Sequence, residues 1–166
     1  MGKSSLDNFR EFFLQRMNSP SDNHFGCLRL QCRFIEAGRA GMDLPYNAQL
    51  IGNPASGVMA GGPMTALMDT CCAVAAATAT DVIGFCPTLD LRMDHMGLAE
   101  AGKMLRAEAE AYRVTRSIIF TRGIIYHDDP ERPIARGLVN FTPITHTIID
   151  TQSRVRNEAP PEGSAT

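Results

Sequence analysis

Asp69 is the only charged residue between Asp43 and Asp81, and it lies in a run, residues 61–80, otherwise built of Gly, Pro, Met, Thr, Ala, Leu, Cys and Val. A carboxylate in such surroundings loses hydration, so it is neutralised, paired or retained for chemistry. Three structural explanations stand beside the chemical one: Asp69 faces a polar cavity, pairs with an arginine such as Arg92 or Arg122, or lies on an exposed helix face. The start of the same run tips the balance. Gly61 and Gly62 present no side chain to a ligand, and Pro63 suits the first turn of a helix, where its missing N–H would have had no partner. The first amides of a helix are unpaired and carry the positive end of its dipole, so this end can hold an oxyanion. An acid and an oxyanion-binding amide are the minimum needed to hydrolyse an ester or thioester, the acid acting as general base or nucleophile.

Spacing then imposes a condition. Gly61 and Asp69 are eight residues apart, which is about 12 Å along a helix rising ~1.5 Å per residue. One carbonyl cannot be reached by both. If both act on a single substrate they come from two copies of the helix, which predicts a site shared across a two-fold dimer interface. A helix that is apolar on nearly every face, set beside its symmetry mate, also accounts for the missing polar face.

The elements that position these residues follow from periodicity. Residues 5–18 place Leu6, Phe9, Phe13 and Met17 at helical spacing behind a Ser/Asp start. Residues 27–44 alternate, break at Ala37-Gly38-Arg39 and resume, which reads as a hairpin. Residues 46–60 are rich in turn formers and read as a loop, and residues 61–80 as a buried central helix. The period then changes to two. Leu89, Leu91 and Met93 alternate with charged residues, as do Leu105, Ala107, Ala109 and Ala111, so each set reads as one buried strand face. The second segment has helix-forming composition, but its alternation outweighs the propensity, and its alanines leave room for something thick against the sheet. Residues 117–126 and 133–142 read as strands joined by the turn 127–132. The expected fold is α+β, an antiparallel sheet wrapped around one long helix. The expected organisation is an N-terminal helix and lead-in over residues 1–24, one domain over 25–149, and a polar, disordered tail over 150–166.

Composition excludes several classes. With 16 Lys and Arg against 18 Asp and Glu and no basic run, nucleic acid is not an expected partner. The helix at 61–80 is too short and interrupted to span a membrane, which takes about 20 continuous apolar residues. Five cysteines, at 27, 32, 71, 72 and 86, show no zinc spacing and no export signal accompanies them, so reduced, buried thiols in a cytoplasmic protein are expected. No metal or cofactor is required.

These residues resemble the hotdog-fold acyl-CoA thioesterases, in particular the phenylacetate-degradation branch and relatives acting on hydroxybenzoyl-CoA. The likeness spans about residues 28–143 and rests on Asn53-Pro54, the run from Gly57 through the Gly61-Gly62-Pro63 helix start to Asp69, the strand from Thr88 to Met96, and the two closing strands. The family pattern is His-Gly-Gly, six residues, then Asp or Glu. The resemblance implies that Gly61 offers the amide that polarises the thioester carbonyl, that Asp69 is the catalytic carboxylate of the opposite subunit, and that Thr88 orients the carboxylate or water. Asn53 resembles the polar residue of the preceding loop, at a spacing one residue longer. The chain departs from the pattern at Ala60, where the family usually has histidine, and Pro63 removes one amide donor beside Gly62.

Other side chains are weaker candidates. His95, at the end of a predicted strand, is a candidate substrate contact at the dimer interface, against the plainer reading of a strand-end residue with a local hydrogen bond. His127 and His146 carry no pattern. Arg113, Arg116 and Arg122 are candidates for CoA phosphates, Arg116 foremost because it falls in a turn. Cys71 and Cys72 lack a neighbouring base and read as packing residues. The methionines at 59, 64, 68, 93, 96 and 104 read as core filling or as an acyl-pocket lining. The leading expectation is a homodimeric or tetrameric acyl-CoA thioesterase; the alternatives are a non-catalytic acyl-CoA-binding protein, suggested by Ala60, and a hotdog hydratase, disfavoured because its acid would need a histidine beside it.

Overall fold

The structure, a computed structural model, describes residues 4–18, 24–80 and 83–143. His146 and the tail from residue 150 lie outside the described residues. Helix α1 (Ser5–Asn18) packs against strand β1 (Gln31–Glu36), which turns into β2 (Arg39–Leu44). The strand expected from residue 27 begins later. Residues His24–Leu28 form a short helix, α2, and Arg29 leaves it with φ of 56°, the left-handed conformation that ends helices. The expected loop at 46–60 contains a small hairpin of β3 (Ile51–Asn53) and β4 (Val58–Met59), too short for alternation to reveal.

Helix α3 (Gly61–Ala77) crosses one face of a six-stranded antiparallel sheet completed by β5 (Thr88–His95), β6 (Leu105–Val114), β7 (Ile119–Tyr126) and β8 (Ala135–Phe141). The strand order is β1-β2-β6-β7-β8-β5. Small residues let the helix in. Ala40, Ala107 and Ala109 are buried beneath it, and the cross-strand pair Gly123 and Gly137 sits under Met68. A Cβ on Gly123 would stand 2.6 Å from the Met68 sulfur, and one on Gly137 2.9 Å from it. Leu67, Met68, Cys71, Cys72, Ala75 and Ala76 fill the space between helix and sheet. At the far end of α3 the Thr78 hydroxyl donates to the Glu36 carbonyl at 2.9 Å, and the Gly38 amide donates to the Thr78 carbonyl, fastening the helix to the β1–β2 turn. This is the hotdog arrangement, an α+β fold.

Candidate active site on the central helix

Most of α3 is buried, yet one face is not. Gly61 and Gly62 are exposed, and Thr65, Ala66, Asp69, Thr70 and Ala73 are half-buried. These positions recur at three- and four-residue spacing, so they form a single stripe. The expectation of a helix covered on all sides therefore holds for its sheet-facing and flanking surfaces but not for this stripe in a single chain. Asp69 lies in it. The Thr88 hydroxyl donates to Asp69 Oδ1 at 2.8 Å. The arginines weighed as structural partners do not reach Asp69, because Arg92 pairs with Asp94 and Arg122 with Glu110.

Thr88 meets the helix because β5 contains a bulge. Thr88 pairs with Phe141 and Asp90 with Asn140, so Leu89 is the extra residue. A bulge shifts the alternation by one. Thr88 thus shares the inward face with Leu91, Met93 and His95, while Asp90, Arg92 and Asp94 point outward, Asp90 accepting from the Asn140 carboxamide at 2.6 Å. Leu89, expected to be buried with Leu91 and Met93, is instead 54% exposed. Nothing in the sequence marks this slip, since Leu89, Leu91 and Met93 alternate without interruption.

At the opposite end of β5, His95 pairs with buried Ala135 and turns towards the start of α3. Its ring lies with Cε1 at 3.6 Å and Nε2 at 3.9 Å from the position a Cβ on Gly61 would occupy. Ala60 stands at the N-cap with no side-chain capping bond, and nothing lies within 4 Å of a Cβ position on Gly62. The inner face of β5 therefore links two groupings, Asp69 with Thr88 and Gly61 with His95, through Leu91 and Met93.

The other candidates sit elsewhere. Asn53 is exposed at the β3–β4 turn, where its Oδ1 accepts from the Ala55 amide at 3.0 Å; none of its hydrogen bonds reaches Asp69, Thr88 or Gly61. Arg116 is exposed in the β6–β7 turn. It lies at the Thr88 end of the sheet, since Val114, Ile119, Phe141 and Thr88 form one cross-strand row. His127 is held by the Met104 carbonyl and the Glu100 amide. Burial raises the Cys71 thiol pKa far above its usual range and pushes Cys72 up to about 12, so both are protonated packing residues. Among the described residues no three His, Cys, Asp or Glu side chains are grouped to hold a metal, and no helix is long and apolar enough to cross a membrane. A shallow concavity of about 660 Å³ lies on the outer face of the sheet, lined by residues such as Arg39, Glu108, Arg122 and Arg136 and by none of the four groups above.

The central helix thus carries a carboxylate bound by a hydroxyl and a glycine start with no side-chain cap. Residues 56–134 match the thioesterase superfamily. A solved protein from Pseudomonas aeruginosa is 40% identical to this chain, covering 84% of it and 98% of its own length, with a TM-score of 0.69. A mutant of the phenylacetic acid degradation protein PaaI from Thermus thermophilus is 22% identical over 71% of this chain and 96% of its own, with a TM-score of 0.63. A thioesterase from Haemophilus influenzae shares the fold at 17% identity and a TM-score of 0.68, over 86% of this chain and 92% of its own. No curated protein matches the sequence. The chain belongs to the thioesterase superfamily, a class of thioester hydrolases.

Proposed function

We propose that the protein hydrolyses acyl-CoA thioesters in a site formed by two subunits. The observation that carries this reading is the Thr88-to-Asp69 hydrogen bond on the half-open stripe that also begins at Gly61. Gly61 and Asp69 are each four residues from Thr65, or about 6 Å to either side of it along the helix. A two-fold axis crossing α3 near Thr65 lays the glycine end of one helix against Asp69 of the partner subunit. The edge of the sheet supports such a pairing. Strand β5 has no neighbour on its outer side among the described residues, and Phe85, Leu89, Met96 and Leu98, in or flanking it, are 62%, 54%, 59% and 67% exposed. An unpaired strand edge flanked by exposed apolar side chains favours pairing with another strand.

In this site the thioester oxygen rests on the Gly61 amide, whose N–H carries the positive end of the helix dipole. Asp69 of the partner subunit takes a proton from water as the water oxygen adds to the carbonyl carbon. The C–S bond then breaks, the thiolate takes up a proton, and free acid and CoA leave. Direct attack by Asp69 gives the same products through an anhydride that water opens. Thr88 holds the carboxylate by one oxygen and leaves the other for the reaction. Ala60 favours a second reading, an acyl-CoA-binding protein that does not cleave its ligand.

Thiol release from short, long and aryl acyl-CoA esters tests both. Asp69→Asn is expected to reduce turnover by about 1,000-fold or more with the melting temperature and oligomeric state unchanged. Substantial remaining turnover overturns the assignment, and binding without release by the unaltered protein supports the second reading.

A further inference from the structure

The geometry points to His95 as a second donor to the thioester carbonyl, an assignment that rests on the hydrolase reading above. The start of α3 supplies fewer donors than its position promises. Ala60 donates its amide to the Leu50 carbonyl at 2.8 Å, Pro63 has no N–H, and the N-cap side chain is a methyl group. An oxyanion is stabilised best by two or more donors that converge on it, each about 2.7–3.1 Å away. His95 is placed to be one. The bulge at Leu89 and the pairing with Ala135 put its ring on the helix side of β5, and Nε2 comes within 3.9 Å of the point where a Gly61 side chain would begin. Its ring makes no hydrogen bond or ion pair among the described residues, and it is exposed, so both ring nitrogens are open to a ligand. Gly61 leaves clear the space beside the ring; any side chain there would rest against the imidazole.

A ring N–H of His95 donates to the carbonyl oxygen beside the Gly61 amide, and the bond strengthens as that oxygen becomes anionic. No proton is transferred to or from His95 in this step. The imidazole that the Ala60 position does not provide thus reaches the same helix end from strand β5.

The test is steady-state thiol release by the full-length protein on its best acyl-CoA substrate. His95→Ala is expected to lower kcat by about 10- to 1,000-fold with little change in KM or melting temperature. His95→Gln, which keeps an N–H donor, is expected to recover part of the loss. Adding Ala60→His to His95→Ala is expected to recover part of it too, which a purely structural role would not allow. His95→Ala within about twofold of the unaltered protein, while Asp69→Asn is inactive, overturns this assignment and leaves the hydrolase reading standing. Absence of thiol release from the unaltered protein overturns both.

Discussion

The Asp69–Thr88 pair shows how one hydroxyl fixes a carboxylate. An aspartate on a half-open helix face has two side-chain torsions to settle, and the 2.8 Å bond from Thr88 selects one arrangement. Removing that hydroxyl frees the carboxylate without touching the core, because Thr88 is exposed. Thr88→Ala is expected to lower kcat by about 10- to 100-fold with KM and melting temperature nearly unchanged, and Thr88→Ser to restore most of it; equal kcat for all three proteins would exclude a positioning role. At this scale the sequence was informative about residue type. A lone acid beside a glycine-rich helix start is visible without coordinates. The partner of that acid follows only from the family likeness, because Thr88 is 19 residues away and no spacing rule joins a helix to the strand that follows it.

At the scale of elements, the alternation of β6 and the apolar run of α3 were legible because burial imposes the period directly. The bulge in β5 was not, since an extra residue changes which face a side chain takes without changing the residues themselves. The same limit applies to the glycines beneath α3. Gly123 and Gly137 lie in segments whose pattern shows only strands, yet together they form the seat for Met68. Gly123→Ala also brings a methyl group to 3.2 Å from Cys72 Sγ and from the Glu108 carbonyl, so the helix cannot simply slide aside. Such overpacking is expected to destabilise the protein by about 1–3 kcal/mol, read from the midpoint of denaturant unfolding. Met68→Ala alone opens a cavity and costs about 2–5 kcal/mol. If the two groups compete for one space, the double variant is less destabilised than the sum of the single ones; additive losses would mean that α3 avoids the clash by moving as a unit.

For the whole molecule, the question is whether chemistry resides in one chain or between two. Within a chain, Asp69 and Gly61 share a helix face but stand too far apart to hold one carbonyl. The separation of about 12 Å follows from the sequence and the helix rise alone; the open stripe and the β5 edge, unpaired among the described residues, are not disclosed by a sequence and are the surface proposed for a second copy. Mixing two variants, each expected to be inactive alone, separates the possibilities. Asp69→Asn keeps the glycine end, and Gly61→Val keeps the carboxylate while filling the opening beside His95. In a mixed dimer with shared sites, one of the two sites combines an intact Asp69 with an intact Gly61. Random exchange of equal amounts makes half the dimers mixed, so about a quarter of the original activity returns. Were each site built from a single chain, every chain in the mixture would lack one half of the apparatus, and unfolding and refolding the two together would restore nothing.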